Sequence, residues 1–208
     1  MGYVICEWKK LKTQFPEFQE SVAMLEQKTL AMVSQVWPGM TYGRFNPQEG
    51  QYGRTTILPF NFMDQAGDVL DLNHTVRWWG ADSFRIWYDA LTPTAAAIPG
   101  WKTILQGAGA GGLTLEDVVI NLIGFAFPGG ALNISILRLE IGDTVHVKLD
   151  IEEAHMYEQP AFIFEDGYTI PEETYFRLIG WFEAIGFQRV VPLGFATYRR
   201  KDAMVHVA

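Results

Sequence analysis

Cysteine is almost missing from this 208-residue chain: Cys6 stands alone. That excludes an intramolecular disulfide framework and every thiolate-rich metal site. Positive charge is scarce as well. Lys and Arg number 16 against 24 Asp and Glu, for a formal net charge of −8. Nucleic-acid affinity is drawn largely from basic patches that release counterions, so no direct, sequence-specific nucleic-acid contact is expected. The densest basic run, Arg199, Arg200 and Lys201, reads as a hairpin turn. Met1 to Leu11 carries Lys9 and Lys10 after a few apolar residues and has no small-residue cleavage site. It does not read as a secretory signal, and the expectation is synthesis in the cytoplasm.

Charge of either sign is missing from the middle of the chain. Between Ala90 and Leu137 the charged residues are Lys102, Glu116 and Asp117, where the chain-wide 19% would give about nine. A stretch so poor in charge suits an ordinary wet surface badly, which leaves core, contact between subunits, or membrane. Val118 to Leu137 is an uncharged run nominally long enough to span a bilayer. Asn121, Asn133, Ser135 and the Pro128-Gly129-Gly130 break interrupt it, so membrane insertion is not expected.

What is present in quantity is apolar and aromatic surface: 49% hydrophobic and 14% aromatic residues. A chain of this length and composition is a packed single domain, 1–208, able to bury a sizeable core. Phe18, Val22, Leu25, Met32 and Val36 recur at a helical period between Pro16 and Pro38-Gly39, which predicts a long N-terminal helix. Thr41 to Asn73 is loop-heavy, with a strand near Arg54 to Phe62. "TVRWWGADSFRIWYDAL" alternates on both sides of a Gly-Ala-Asp-Ser turn and predicts a hairpin. A second, more regular hairpin turns at Gly142-Asp143. Its return strand places Val145, Val147, Leu149 and Ile151 inward and His146, Lys148, Asp150 and Glu152 outward. Thr114, followed by Glu116 and Asp117, has the pattern of a helix start. Thr169 to Glu172 has capping-box spacing, which predicts a C-terminal helix over 170–185. Strands follow near 188–191, 195–199 and 203–207. The fold class is α+β: a mainly antiparallel sheet, a long N-terminal helix, a C-terminal helix and a charge-poor central insertion over 90–137 that can serve as an oligomerisation arm.

Catalytic signatures are thin. Gly107, Gly109 and Gly112 have the spacing of a dinucleotide-binding turn, but no core strand leads into them. Glu116 and Asp117 would repel a pyrophosphate, and the first acid beyond the following segment is Glu140. A pliable loop, either tight against backbone or exposed, fits better than a nucleotide site. Asp71/His74 and Glu152/His155 have the i, i+3 spacing that di-iron proteins use on helices, without the four-helix bundle to present it. No Gly-x-Ser-x-Gly elbow occurs, and Cys6 has no local histidine. No catalytic residue, metal ligand or cofactor is assigned.

The aromatic hairpin carries large rings on both of its faces, Trp78 on one and Trp79 and Trp87 on the other, so both faces call for cover. Interface cores are depleted in charge and enriched in aromatics. The expectation is therefore a non-enzymatic structural subunit of a homo-oligomeric assembly, of the kind found in a bacteriophage tail or neck. It is held through Trp78, Trp79, Trp87, Trp101, Leu113, Ile120, Phe125 and Phe127, with other proteins of the assembly as further partners. Two alternatives stand beside it: an enzyme with a dispersed carboxylate/His site, and a small acidic binding or immunity-type module.

Overall fold

The computed structural model describes residues 3–7, 16–43, 49–57, 62–63, 77–79, 84–89, 99–127, 133–158, 160–184 and 188–199. Strand β1 (Tyr3–Glu7) precedes helix α1 (Pro16–Val36). There follow β2 (Thr41–Tyr42), β3 (Gln51–Thr56), β4 (Phe62–Met63), β5 (Arg77–Trp79), β6 (Phe84–Asp89), β7 (Gly100–Gly107), β8 (Val118–Ala126), β9 (Ile134–Ile141), β10 (Thr144–Asp150), β11 (Pro160–Ile170), β12 (Phe176–Phe182) and β13 (Gln188–Tyr198). The chain is mostly strand, in two sheets whose pairings are antiparallel except for the short β2–β3 pair. One sheet has the order β1-β11-β8-β13-β3-β2, with β6 joined to β13 and β5 outside β6. The other has the order β10-β9-β12-β7-β4.

Strand β8 is the centre of the larger sheet, and all nine of its residues are buried. Val119 joins Val33, Trp37 and Tyr52 in a small cluster that includes the helix, while Ile120 and Leu122 join the main core with Leu137, Leu139, Leu178 and Phe182 of the second sheet. Cover on both faces is what lets a strand run as VVINLIGFA without alternation. The capping pattern of Thr114, Glu116 and Asp117 predicts a helix here, and the structure has a strand. A short apolar run covered on both faces carries no period to distinguish the two. A bulge where Leu193 and Gly194 pair with Gly124 and Leu122 leaves Ile123 unopposed by β13.

The 170–185 segment is corrected as well. No C-terminal helix forms there: β11 runs through Ile170, the chain turns at Glu172-Glu173, and β12 follows. Thr169 lies within a strand and caps nothing. Phe176, Leu178, Gly180 and Phe182 are buried at a two-residue period, and Ile179 on the opposite face is buried too, between the half-buried Arg177 and Trp181, which blurs the alternation. α1 carries Leu25, Thr29 and Val33 against the sheet, and Met24 and Leu30 outward.

The predicted hairpin at Gly142-Asp143 forms as β9–β10, with Gly142 at φ +60°. Its return strand differs in one respect. Val145 is exposed, because the register shifts between Val145 and Val147 at the free edge of the sheet, while Leu149 and Ile151 point into the core. β5 and β6 pair as the aromatic sequence predicts, Trp79 opposite Phe84. The two strands expected around 191–195 are one continuous β13. Its residues 188–190 pair with β6 and residues 195–198 with β3. Pro192 falls in the gap between those partners, where its missing N–H interrupts no ladder on that side. The strand expected at 203–207 lies outside the described residues.

Candidate interaction surfaces and an internal ion cluster

The glycine turn closes on itself. The Gly109 N–H donates to Leu113 O (2.7 Å) and the Gly112 N–H to Gly109 O (3.2 Å). A Cβ at Gly107 would stand 2.2 Å from Leu113 O, so glycine is required there by backbone contact. Amides committed to the loop's own carbonyls cannot cradle a phosphate. Thr114 is not a helix cap: its hydroxyl donates to Pro171 O (2.6 Å) and accepts from the Thr174 N–H (2.9 Å), joining this loop to the β11–β12 turn.

That turn also anchors an ion cluster. The Asp117 N–H donates to Glu172 Oε2 (2.7 Å) and Trp37 Nε1–H donates to Glu172 Oε1 (2.9 Å). Arg199 Nε donates to Asp117 Oδ1, and its guanidinium stands 3.8 Å from Glu172 Oε2 and 3.9 Å from Glu116 Oε1. The hydrogen bond to Asp117, with the three carboxylates around it, raises the Arg199 pKa above its ordinary value and keeps the group charged. Asp117 takes φ +65°, a conformation that Asp tolerates better than most residues. The cluster ties the end of α1, the start of β8, the end of β13 and the β11–β12 turn together. Its acids already serve as acceptors in a structural network, which leaves them poorly placed as a free acid/base pair.

The outer face of the five-stranded sheet presents a different surface. Trp101 and Trp181 are direct cross-strand partners, edge to face with ring centroids 5.5 Å apart. The Arg138 guanidinium lies 4.9 Å from the Trp101 ring centre. Arg138 pairs with Glu140 Oε1, and Arg177 with Glu140 Oε2, both at 2.7 Å. Arg138 Nε is buried without a hydrogen-bond partner. Trp101 is 36% exposed, and neither tryptophan belongs to the main apolar core.

A third feature is a cleft of about 330 Å³ between α1 and the β2–β3 end of the larger sheet, lined by Glu26, Thr29, Leu30, Tyr42, Tyr52, Arg54, Phe195 and Thr197. Beneath it, Thr29 Oγ1 lies 2.6 Å from Asn121 Oδ1, and Asn121 Nδ2 donates to Thr197 Oγ1 (3.3 Å). Arg54 lies over the Phe195 ring, 3.8 Å from its centre, and pairs with Glu26.

The residues expected at an interface separate into four groups. Ile120, Phe125 and Phe127 are 0%, 1% and 3% exposed and pack inside the chain, Phe125 against Phe164 and Phe127 against Phe162. They are not available to a neighbouring subunit, because both faces of β8 are already covered. Leu113 is half-buried and bridges to Tyr175. Trp101 is at the surface. Trp78, Trp79 and Trp87 lie on β5 and β6 at the sheet edge, and their side chains lie outside the described residues. Much of the charge-poor segment is thus core: β7, β8 and the start of β9 are built into the two sheets, and residues 90–98 and 128–132 lie outside the description. Arg138 and Arg177 stand out in no sequence pattern, and nothing in the sequence places Trp181 or Glu140 beside Trp101. Only cross-strand register brings them to Trp101.

Among the described residues, no three His, Cys, Asp or Glu gather as metal ligands, and no helix is long and apolar enough to cross a membrane. Glu152 and His155 sit exposed on a single turn at Glu152–Met156. Asp71 and His74 lie outside the described residues. Burial pushes the Cys6 thiol up to about 11, with Glu7 adding to the effect, which disfavours the thiolate that nucleophilic chemistry requires. Comparison with protein-family models, with curated proteins and with solved structures gives no match.

Proposed function

We propose that this chain is a non-enzymatic structural subunit that associates with copies of itself through the outer face of the five-stranded sheet. The observation that carries the reading is the Trp101–Trp181 pair, which stands outside the core with Arg138 over the Trp101 ring and Arg177 joined to Arg138 through Glu140. Tryptophan and arginine are the residues most enriched where binding energy concentrates in protein interfaces. Two arginines around one glutamate make this face locally positive on a chain of net charge −8. A locally basic, aromatic face is complementary to the acidic remainder of another copy, which favours a head-to-tail contact. Head-to-tail contacts close into rings or continue as open helical filaments. A virion tail or neck component is the narrower form of this proposal.

The test is absolute mass by light scattering across a range of concentrations, for wild type and Trp101→Asp. Wild type is expected at a multiple of 23.5 kDa, and the variant at the protomer mass with its unfolding transition nearly unchanged. A wild-type monomer at high concentration, or an unaltered mass for Trp101→Asp, would sink the reading.

A further inference from the structure

The cleft beside α1 has no part in the contact proposed above, yet it is built like a ligand site. Its inner end is polar and dry: Thr29 and Thr197 are 5% and 1% exposed, and both hydroxyls are hydrogen-bonded to the fully buried Asn121. Its mouth is apolar and open, with Leu30 58% and Tyr42 55% exposed. Between the two, the walls are flat groups. Tyr42 and Tyr52 stand with centroids 5.6 Å apart, and Arg54 lies over Phe195. A guanidinium plane accepts an aromatic ring on its free face. The volume is at the lower end of the range for small-molecule pockets, which suits a ligand of a single ring.

From this geometry we infer that the cleft binds a neutral phenolic ring, the ring between Tyr42, Tyr52 and the Arg54 guanidinium, and its hydroxyl directed at Thr29 and Thr197. Neutrality follows from the Glu26–Arg54 ion pair at the rim, which leaves no net charge for an ionic ligand to answer. A single hydroxyl follows from the inner end, which offers two oxygens and otherwise apolar surroundings. A phenol hydroxyl both donates and accepts, and so fits a pair of threonine hydroxyls of which Thr29 directs its hydrogen to Leu25 O and Asn121 Oδ1, while Thr197 accepts from Asn121 Nδ2.

The probe is p-cresol, titrated by calorimetry into the full chain, with toluene as the ring lacking the hydroxyl. We expect p-cresol to bind roughly tenfold tighter than toluene, the difference made by hydrogen bonds at a buried site. Thr197→Val should remove most of that difference. Leu30→Trp, at an exposed helix position where folding is little affected, should fill the mouth and abolish binding of both. N-acetyltyrosinamide separates two sources of the same chemistry: affinity equal to that of p-cresol assigns the ring to a tyrosyl side chain, and much weaker affinity assigns it to a free phenol. No heat with p-cresol into the millimolar range, equal affinity for toluene, or binding that survives Leu30→Trp would overturn the inference.

Discussion

Replacing Glu172 with Gln is the sharpest test of how the two sheets and the helix are held in register. The substitution keeps the shape and removes the charge. In the native protein both carboxylate oxygens are used: Oε1 accepts from Trp37 Nε1–H at 2.9 Å and Oε2 from the Asp117 N–H at 2.7 Å, with Arg199 at 3.8 Å from Oε2. A glutamine amide has one oxygen, so one of the two donors must face an NH2 group instead. A hydrogen bond to a charged group contributes about 1.5–3 kcal/mol, and the surviving bond is weakened by loss of the charge. The expected cost is about 2–4 kcal/mol, which for a chain of this size lowers Tm by about 4–16 °C. Urea unfolding followed by tryptophan fluorescence should show a lower midpoint at unchanged slope. The partner substitution Trp37→Phe removes the same donor, so the double variant should fall short of additivity by about 0.5–3 kcal/mol. A midpoint within about 0.5 kcal/mol of wild type, or strict additivity, would refute the view that this carboxylate joins the helix end to the sheets.

Phe125→Ala should cost about 3–5 kcal/mol of protomer stability, since it opens a cavity against Phe164 in a sealed core. Loss of an assembly with stability intact would instead return Phe125 to an interface. Burial, reinforced by Asp166, raises the Tyr168 phenol from 10.0 to about 12. The charged form is the deprotonated one, so the folded protein holds this proton more tightly than the unfolded chain. The associated stability is fully present below pH 10 and is lost as pH rises through about 12, by up to about 3 kcal/mol. Tyr52 and Tyr198 shift in the same direction and add to the loss. Tyr168→Phe should flatten the stability curve over that window; wild-type and variant curves that run parallel there would count against the buried-phenol account.

How far the fold could be read from sequence depended on whether an element has one wet face. The β9–β10 hairpin and the β5–β6 pairing were legible because strand alternation and turn residues are local signals. β8 and β12 were not. β8 is covered on both faces, so VVINLIGFA has no period; in β12 the buried Ile179 breaks the alternation of FRLIGWF, and the capping patterns at Thr114 and Thr169 meet no local signal against a helix. Glu172 has the spacing of a capping acid in the sequence; in the fold it accepts hydrogen bonds from residues 55 and 135 positions away. The charge-poor segment was a sound signal of burial. Whether its cover came from this chain or from another copy was settled for Ile120, Phe125 and Phe127 only by the second sheet and the helix.

The sequence by itself determined the quantities that add along the chain: enough apolar surface for one large core, an acidic surface without a basic stripe, no disulfide framework, and a strand-rich α+β composition. Tertiary structure decided which residues meet. Trp101 is separated from Trp181 by 80 positions and Asp117 from Arg199 by 82. Cross-strand register, fixed by bulges and by burial on both faces of β8, turns such distant residues into an aromatic pair and an ion cluster. No local period encodes that register, because it is set by how the two sheets and the helix close over one another.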